Sequence, residues 1–485
     1  MRILLIFKDT VSMERLAISQ LSAVLKQAGH EVRLAILGKV PQEALTEIVE
    51  HFAPQVVGYS IMTGEHEALA ALNHDLKHRF SFISVFGGPH ATFRHDFIEH
   101  DENIDAQCIG EGDTAFPEFC RRLEAGESWW ESPTFYVRYK GNIHKNELAP
   151  LADLALLPTP DHQIIYDSDS NIARSGVKSF MAGRGCPYRC SYCFNVSYNK
   201  DYKGLGNILR ARSAEQVVNE IAWVKEFYPL ETVSFADDVF NQKPKGWIDA
   251  FCDLYKEKIG LPFTANMRPN SIVDADIARL SEAGLTLVWM GVESGNEKAA
   301  NEILMRKLSN EQILKAIRIL KAYGVKITTQ NLIGLPVPNP FEVDLDTLDF
   351  NIAIRPTYAW SSILYPYPGT AIETYSRQNG YLKGETIYME TNKRHSMLDF
   401  ADPTEKMRIE NLHKLFGLIV AFPILRPITR FLCDLPLTGF YRILYWMWYG
   451  FNMKFRLFKS RAVWREIPYL FRAFLRLVMA EKKGP

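Results

Sequence analysis

The chain has 485 residues, 47% of them hydrophobic, and its 56 Lys plus Arg are balanced by 56 Asp plus Glu. That length exceeds a single core and predicts roughly two to four domains, while the zero net charge excludes a global field that would draw in nucleic acid or another polyanion. Seven cysteines follow an N-terminus, "MRILLIFKDTVSMERLAISQ", that lacks a signal-peptide pattern, so a reducing, cytoplasmic setting is expected, in which clustered thiols hold metal rather than pair as disulfides.

Residues 1–135 read as a first domain. "RILLIF" predicts a strand, and "MERLAISQLSAVLKQAGHEV" a helix that Gly29 can end. The pattern repeats through the strand "PQVVGYSIMT", the helix "EHEALAALNHDLKHR", the strands "FISVFGGPHATF" and "DAQCIGEGD", and the helix "TAFPEFCRRLEAG". Such alternation predicts an α/β, doubly wound parallel sheet of Rossmann-like type, with a ligand crevice at the strands' C-terminal ends. Gly58, Gly87, Gly88, Gly110 and Gly112 fall at those ends. Taken singly, each suits a tight turn. Together, Ser60, Thr63, the run Gly87, Gly88, Pro89, His90 and the run Gly110, Glu111, Gly112 predict a wall of bare backbone and hydroxyls, suited to a flat ligand with an extended tail. No G-x-G-x-x-G follows the first strand, so the dinucleotide fingerprint is missing.

"QAGHEV", "PQVVGYSIMT", "FGGPHATF" and "IGEGD" resemble the cobalamin-binding domain found ahead of radical S-adenosylmethionine (SAM) enzymes. The resemblance covers about the first quarter of the chain and implies that the residues of the wall bind cobalamin. In cobalamin mutases and methionine synthase the loop after the first strand carries Asp-x-His-x-x-Gly, whose histidine ligates cobalt. Here that loop reads "KDTVSMERLA", so the resemblance implies a lower cobalt face without a histidine from this loop. His90 stays open between a crevice residue and a turn residue with a satisfied ring.

Residues 136–173, including the Pro- and Asp-rich "HKNELAPLADLALLPTPDHQIIYDSDSN", read as a linker. Over residues 174–390 strand and helix signals alternate again, from "VKSFMAG" through "TVSFADDVF", "FTANMRPN" and "LTLVWMGVESG" to "VKITTQNLIGLP". Six or so βα units predict a full or partial (β/α) barrel whose chemistry sits at the C-terminal strand ends.

After the first of these strands, "GRGCPYRCSYCFN" places Cys186, Cys190 and Cys193 within eight residues. Structural zinc generally takes four protein ligands, commonly as two pairs, and no second pair exists; Cys108, Cys120, Cys252 and Cys433 are scattered and read as small core residues. Three thiolates suit a cubane iron–sulfur cluster with one iron left open. The stretch closely resembles the cluster loop of radical SAM enzymes, in which SAM chelates that iron through its amino and carboxylate groups. Reduction then cleaves the sulfonium and yields a 5′-deoxyadenosyl radical.

The resemblance further implies SAM contacts for Tyr192 near the adenine, for Asp237 and Asp238 near the amino group, and for Glu293 and Ser294 at the ribose or carboxylate. It adds a SAM-contacting strand at Asn331 and the following "GLP". Arg268 is a cation at another strand end, suited to a carboxylate. Charges on a barrel rim also serve simply as solvated groups. No catalytic side chain is singled out.

Residues 391–485 read as a helical C-terminal region. Over residues 411–485 there are 13 Lys plus Arg against Asp434, Glu466 and Glu481. No uncharged run reaches the ~20 residues that span a bilayer. Lys454, Arg461, Arg465, Arg472 and Arg476 share one helical face, interrupted at Pro468. The expectation is a helical lid on the barrel, or a surface for an anionic membrane or an apolar substrate.

The combined expectation is a cobalamin-dependent radical SAM enzyme that methylates an unactivated carbon of a lipid-like or tetrapyrrole substrate. Its cofactors would be a 4Fe–4S cluster, SAM and cobalamin, with electrons from an external donor such as flavodoxin or ferredoxin. It would be cytoplasmic or peripheral at the inner membrane surface. Nucleic acid is not expected as a partner, because the positive charge is confined to one aromatic-rich tail. The alternatives are a radical oxidative cyclase or rearrangement enzyme with the same cofactors and, from another class, a cobalamin-binding sensor with a structural cluster.

Overall fold

The computed structural model describes residues 1–9, 14–384 and 395–458. Its first sheet has strands β1 (Arg2–Lys8), β2 (Glu31–Leu37), β3 (Val56–Ser60), β4 (Ile83–Gly87), β5 (Ala106–Cys108), β6 (Phe135–Tyr139) and β7 (Asn142–Lys145), ordered β2-β1-β3-β4-β5-β6-β7. The first five are parallel. Side chains alternate along β1 so that Ile3, Leu5 and Phe7 enter one apolar core, while Leu4 and Ile6 enter another on the opposite face. A strand buried on both sides is why "RILLIF" is continuously apolar. The order reverses at β1 and β3, the topological switch point at which doubly wound sheets open a crevice.

The sheet continues beyond residue 135 into the segment expected to be a linker. β6 and β7 form an antiparallel hairpin joined by Lys140 and Gly141, at φ 49° and 79°. A two-residue turn with both residues left-handed matches the twist of paired strands. The same segment forms two short helices, His162–Ser168 and Ser170–Arg174, N-capped by the side chains of Asp161 and Asp169.

The second sheet contains β8 (Val177–Phe180), β11 (Thr232–Phe235), β12 (Phe263–Met267), β13 (Leu285–Glu293), β14 (Lys326–Ile333) and β15 (Tyr358–Ile363), all parallel, in the order β15-β14-β13-β12-β11-β8. β8 and β15 are edges, so this is a partial barrel. A two-residue antiparallel ladder of β9 (Gly183–Arg184) and β10 (Arg210–Ala211) flanks the loop that carries the three clustered cysteines. Helices Ala214–Phe227 and Asn310–Ala322 each start with a reciprocal capping box, Ser213 with Gln216 and Ser309 with Gln312.

One apolar core runs from Ile3, Leu5 and Phe7 of β1, through Ile164, Ile165 and Tyr166, to Phe180 of β8 and Val233 of β11. Helix Pro403–Ala421 covers the β15 edge through Ile409, Leu412 and Phe416, which pack against Ile363 and Leu348. Helices Thr429–Asp434 and Thr438–Phe451 follow. Among the described residues no helix is long and apolar enough to cross a membrane. Of the predicted cationic stripe only Lys454 is described; Arg461, Arg465, Arg472 and Arg476, with Pro468, lie outside the described residues.

Candidate functional site

A cavity of about 530 Å³ lies between the C-terminal ends of the two sheets. Ser60, Gly87, Gly88, Pro89 and the run Gly110, Glu111, Gly112 line it from the first sheet. Gly183, Cys193, Phe194, Asn195 and Asp238 line it from the second. The crevice of one unit and the cysteine loop of the other therefore share one space. Phe93 and Phe194 stack across the junction, their ring centroids 4.4 Å apart.

Two of these glycines are required by the backbone. Gly88 has φ 96°, and a Cβ there would lie 2.8 Å from the Ile61 carbonyl oxygen. Gly110 has φ 88°, and a Cβ there would collide with the Tyr202 phenol. Leu16, Leu21, Phe116, Leu154 and Leu157 give the lining an apolar side, and charged side chains such as Arg184, Arg210 and Asp238 line it elsewhere. Bare backbone opposite apolar side chains fits a broad, flat ring.

The structure does not bring Thr63 or His90 to this wall. Thr63 Oγ1 and His90 Nδ1 lie 3.1 Å apart, and the His90 ring stacks on His66 at 3.8 Å, edge-on to Phe97. Burial, then the neighbouring His66 and Arg94 charges, depresses His90 to about 3, so it is a neutral packing residue. Glu111 reaches the cavity but is committed elsewhere. Arg210 grips it with two hydrogen bonds of 2.6 and 2.8 Å, and Arg184 Nη1 lies 3.2 Å away. Arg184 in turn holds Asp113 through bonds of 2.7 and 2.9 Å. These four side chains clamp the first sheet to the β9–β10 ladder. Arg184, Arg210 and Asp113 carry no local sequence signal, because their partners are distant in the chain.

Cys186 and Cys193 are half-buried and Cys190 is buried. Burial, with the charges of Asp238 and Cys190 adding to it, pushes the Cys186 thiol up to about 11 and the Cys193 thiol up to about 12. Thiols so placed need a cationic partner to ionise. Among the described residues no three His, Cys, Asp or Glu side chains gather tightly enough to share one metal ion. In a cubane each thiolate takes its own iron, and no convergence on one point is required. Arg268 Nη1 donates to Cys190 Sγ at 3.2 Å and Arg306 Nη1 at 3.7 Å, while the Arg268 guanidinium lies 3.8 Å from the Tyr188 ring centroid. Both arginines are buried, and the Nε of each lacks a partner. Two buried guanidiniums on one sulfur fit an anionic cluster bound there.

The other predicted residues divide in two. Asp238 faces the cavity; burial raises its carboxyl, opposed mainly by a hydrogen bond from Asn195. Tyr192 donates to Glu293 Oε1 at 2.9 Å and accepts from Arg306 Nη1 at 3.0 Å. Burial raises the Glu293 carboxyl, and Arg306 partly offsets this. Glu293 stands at φ 66° where the β13 register slips, a strained position for a residue with a side chain. Arg306 completes this group and was not expected from the sequence.

Asp237, Ser294 and Asn331 are instead engaged in holding the fold. Asp237 accepts from Ala182 N at 2.9 Å and Lys243 Nζ at 2.7 Å. Ser294 bonds Thr347 and accepts from Asn296 N. Asn331 donates to the Trp360 carbonyl and accepts from Asn351. Each of them bonds a neighbouring strand, helix or loop.

Residues 4–120 match the B12 binding domain and residues 181–348 the Radical SAM superfamily. The chain belongs to the radical SAM enzymes that carry a B12-binding domain. The cofactors of this radical SAM enzyme are a 4Fe–4S cluster, SAM and cobalamin. An uncharacterized methyltransferase of Pyrococcus horikoshii is 25% identical over 346 residues, covering 70% of this chain and 72% of that protein. An anaerobic magnesium-protoporphyrin IX monomethyl ester cyclase of Rubrivivax gelatinosus is 23% identical, covering 66% of this chain and 58% of that protein. Among solved structures, the cobalamin-dependent radical SAM enzyme OxsB, with aqua-cobalamin and SAM bound, superposes with a TM-score of 0.69 at 15% identity, over 99% of this chain and 79% of its own. TsrM of Kitasatospora setae, with cobalamin and a 4Fe–4S cluster bound, superposes at 0.61 and 17% identity, over 79% of each chain. At these identities the two structures speak to the fold.

Proposed function

We propose that this enzyme methylates an unactivated carbon of an apolar small molecule. The observation that carries the reading is the single cavity shared by the glycine wall and the cysteine loop. When bound, the reduced cluster supplies the electron that cleaves the SAM sulfonium, and cobalamin supplies the methyl group. Cys186, Cys190 and Cys193 would each hold an iron. Arg268 and Arg306 balance the negative charge at Cys190, and the Phe93–Phe194 stack keeps water from the junction. Ser60 and the backbone at Gly87, Gly88 and Gly110 leave room for the corrin. Glu293, held by Tyr192 and Arg306, offers a buried carboxyl at the SAM side. An external donor such as reduced flavodoxin or ferredoxin would deliver the electron, in a reducing compartment.

The similarity to cyclases, at 23% and 24% identity, favours ring closure with the same cofactors as the second reading. Anaerobic turnover with methyl-deuterated SAM separates them. Methyl transfer predicts 5′-deoxyadenosine together with label in the product. Formation of 5′-deoxyadenosine with an unlabelled, cyclised product would overturn it. A Cys190→Ala variant that still cleaves SAM would refute the cluster assignment itself.

A further inference from the structure

Two cations converge on one of the three clustered thiols. Arg268, directly after β12, reaches Cys190 Sγ with Nη1 at 3.2 Å, and Arg306, after helix Glu297–Glu302, reaches it with Nη1 at 3.7 Å. Each is only 5% exposed, so water does little to screen its charge. Both are held in place. Arg268 Nη2 donates to the Arg306 carbonyl while its guanidinium lies over the Tyr188 ring. Arg306 donates to the Gly291 carbonyl and, at 3.0 Å, to Tyr192 Oη. The Nε of each is buried and has no partner among the described residues, and a buried donor that the chain leaves over calls for an acceptor brought by a ligand.

The other two thiols lie in a different field. Cys186 and Cys193 feel the opposing charge of Asp238, Cys186 more than it feels Arg268. The field across the loop is therefore graded, positive at Cys190 and negative toward Asp238. Charge balance decides which state of a bound cluster the arginines suit. An oxidised cubane of charge 2+ held by three thiolates carries one net negative charge, and one further electron makes it two. Arg268 and Arg306 together match the reduced charge and exceed the oxidised one. Fixed cations beside a cluster sulfur favour the form with more negative charge, and hydrogen bonds to the sulfurs are among the features that set cluster potentials.

We propose that Arg268 and Arg306 are positioning residues that raise the reduction potential of the cluster by holding two guanidiniums on Cys190, so that an external one-electron donor can reduce it. The inference rests on the cluster and not on the methylation proposed above, so a cyclised product would leave it intact. Reconstituted full-length protein is titrated anaerobically without SAM, with titanium(III) citrate as the electron source, and the low-temperature EPR signal of the reduced cluster is followed. At a fixed potential Arg268→Gln is expected to lower the reduced-to-oxidised ratio on the order of tenfold, about 59 mV for one electron, with iron content unchanged. Arg306→Lys keeps a cation beside Glu293 but loses the planar fork, and is expected to shift the ratio in the same direction by less. Wild-type potentials in both variants at full iron content would overturn the proposal. Weaker SAM binding by Arg268→Gln with the potential unmoved would also overturn it, assigning that arginine to the SAM carboxylate. If Arg268→Gln loses its fold or its iron, Arg268→Lys takes its place under the same two criteria.

Discussion

Replacing Glu111 by glutamine isolates the charge that holds the two sheets together at the cavity. The substitution keeps the shape and leaves Arg210 and Arg184, 9% and 23% exposed, facing an amide. Burial alone would push the Glu111 carboxyl up, but the Arg210 hydrogen bonds and the Arg184 charge outweigh it and hold it at about 2. Against an ordinary value of 4.5, that gap corresponds to about 3 kcal/mol at 1.36 kcal/mol per pH unit, at the low end of the ~3–5 kcal/mol cost of breaking a buried pair. Because the carboxyl is depressed in the fold, its contribution is complete above the unfolded value near 4.5 and is lost as the pH falls toward 2. With about 2 cal/mol/K of unfolding entropy per residue over 485 residues, E111Q should melt about 3 °C below wild type near neutral pH. The two melting curves should draw together in acid. Calorimetry from neutral pH to about pH 3 reads both effects. Equal melting temperatures at neutral pH, or a gap that persists in acid, would refute the clamp.

Gly110→Ala places a Cβ at φ 88° against the Tyr202 phenol, and should cost about 2 kcal/mol or more and abolish cobalamin binding, read by spectral titration. His90→Gln should leave cobalamin affinity unchanged, because the ring packs on His66 and Phe97 rather than lining the cavity, while lowering stability by about 1 kcal/mol. Arg306→Gln leaves Glu293 buried without its cation and should destabilise by about 3 kcal/mol. Adding Glu293→Gln should recover part of that loss, a coupling that a double-mutant cycle measures by denaturant melts.

What the sequence revealed was local. The alternation of β1 to β5 with helices, the glycines at strand ends and the three-cysteine loop are all short-range patterns, and the chain places them together as expected. What stayed hidden depends on partners far apart in sequence. Arg184 and Arg210 look like ordinary loop cations until β9 and β10 pair beside Glu111. Asp237 and Asp238 are indistinguishable as a dipeptide, yet Lys243 and Ala182 N claim the first while the second faces the cavity. The β6–β7 hairpin was masked by its short strands and the Pro- and Asp-rich stretch that follows, although Lys140 and Gly141 carried a turn signal. His90 sits in a run that resembles a cofactor loop, and only its stacking partners disclose which way the ring points.

The apolar core that joins β1, the segment around Ile164 and Tyr166, and β8 bears on how such an enzyme can be rebuilt. A B12-binding unit followed by a radical SAM unit invites treatment as two interchangeable cassettes. In this chain, a cut between residues 145 and 177 would split the apolar core that Ile164, Ile165, Tyr166 and Ile172 share with both sheets. Grafting a foreign cofactor unit here therefore means transplanting the 161–180 strap along with it, or redesigning the seam on both faces.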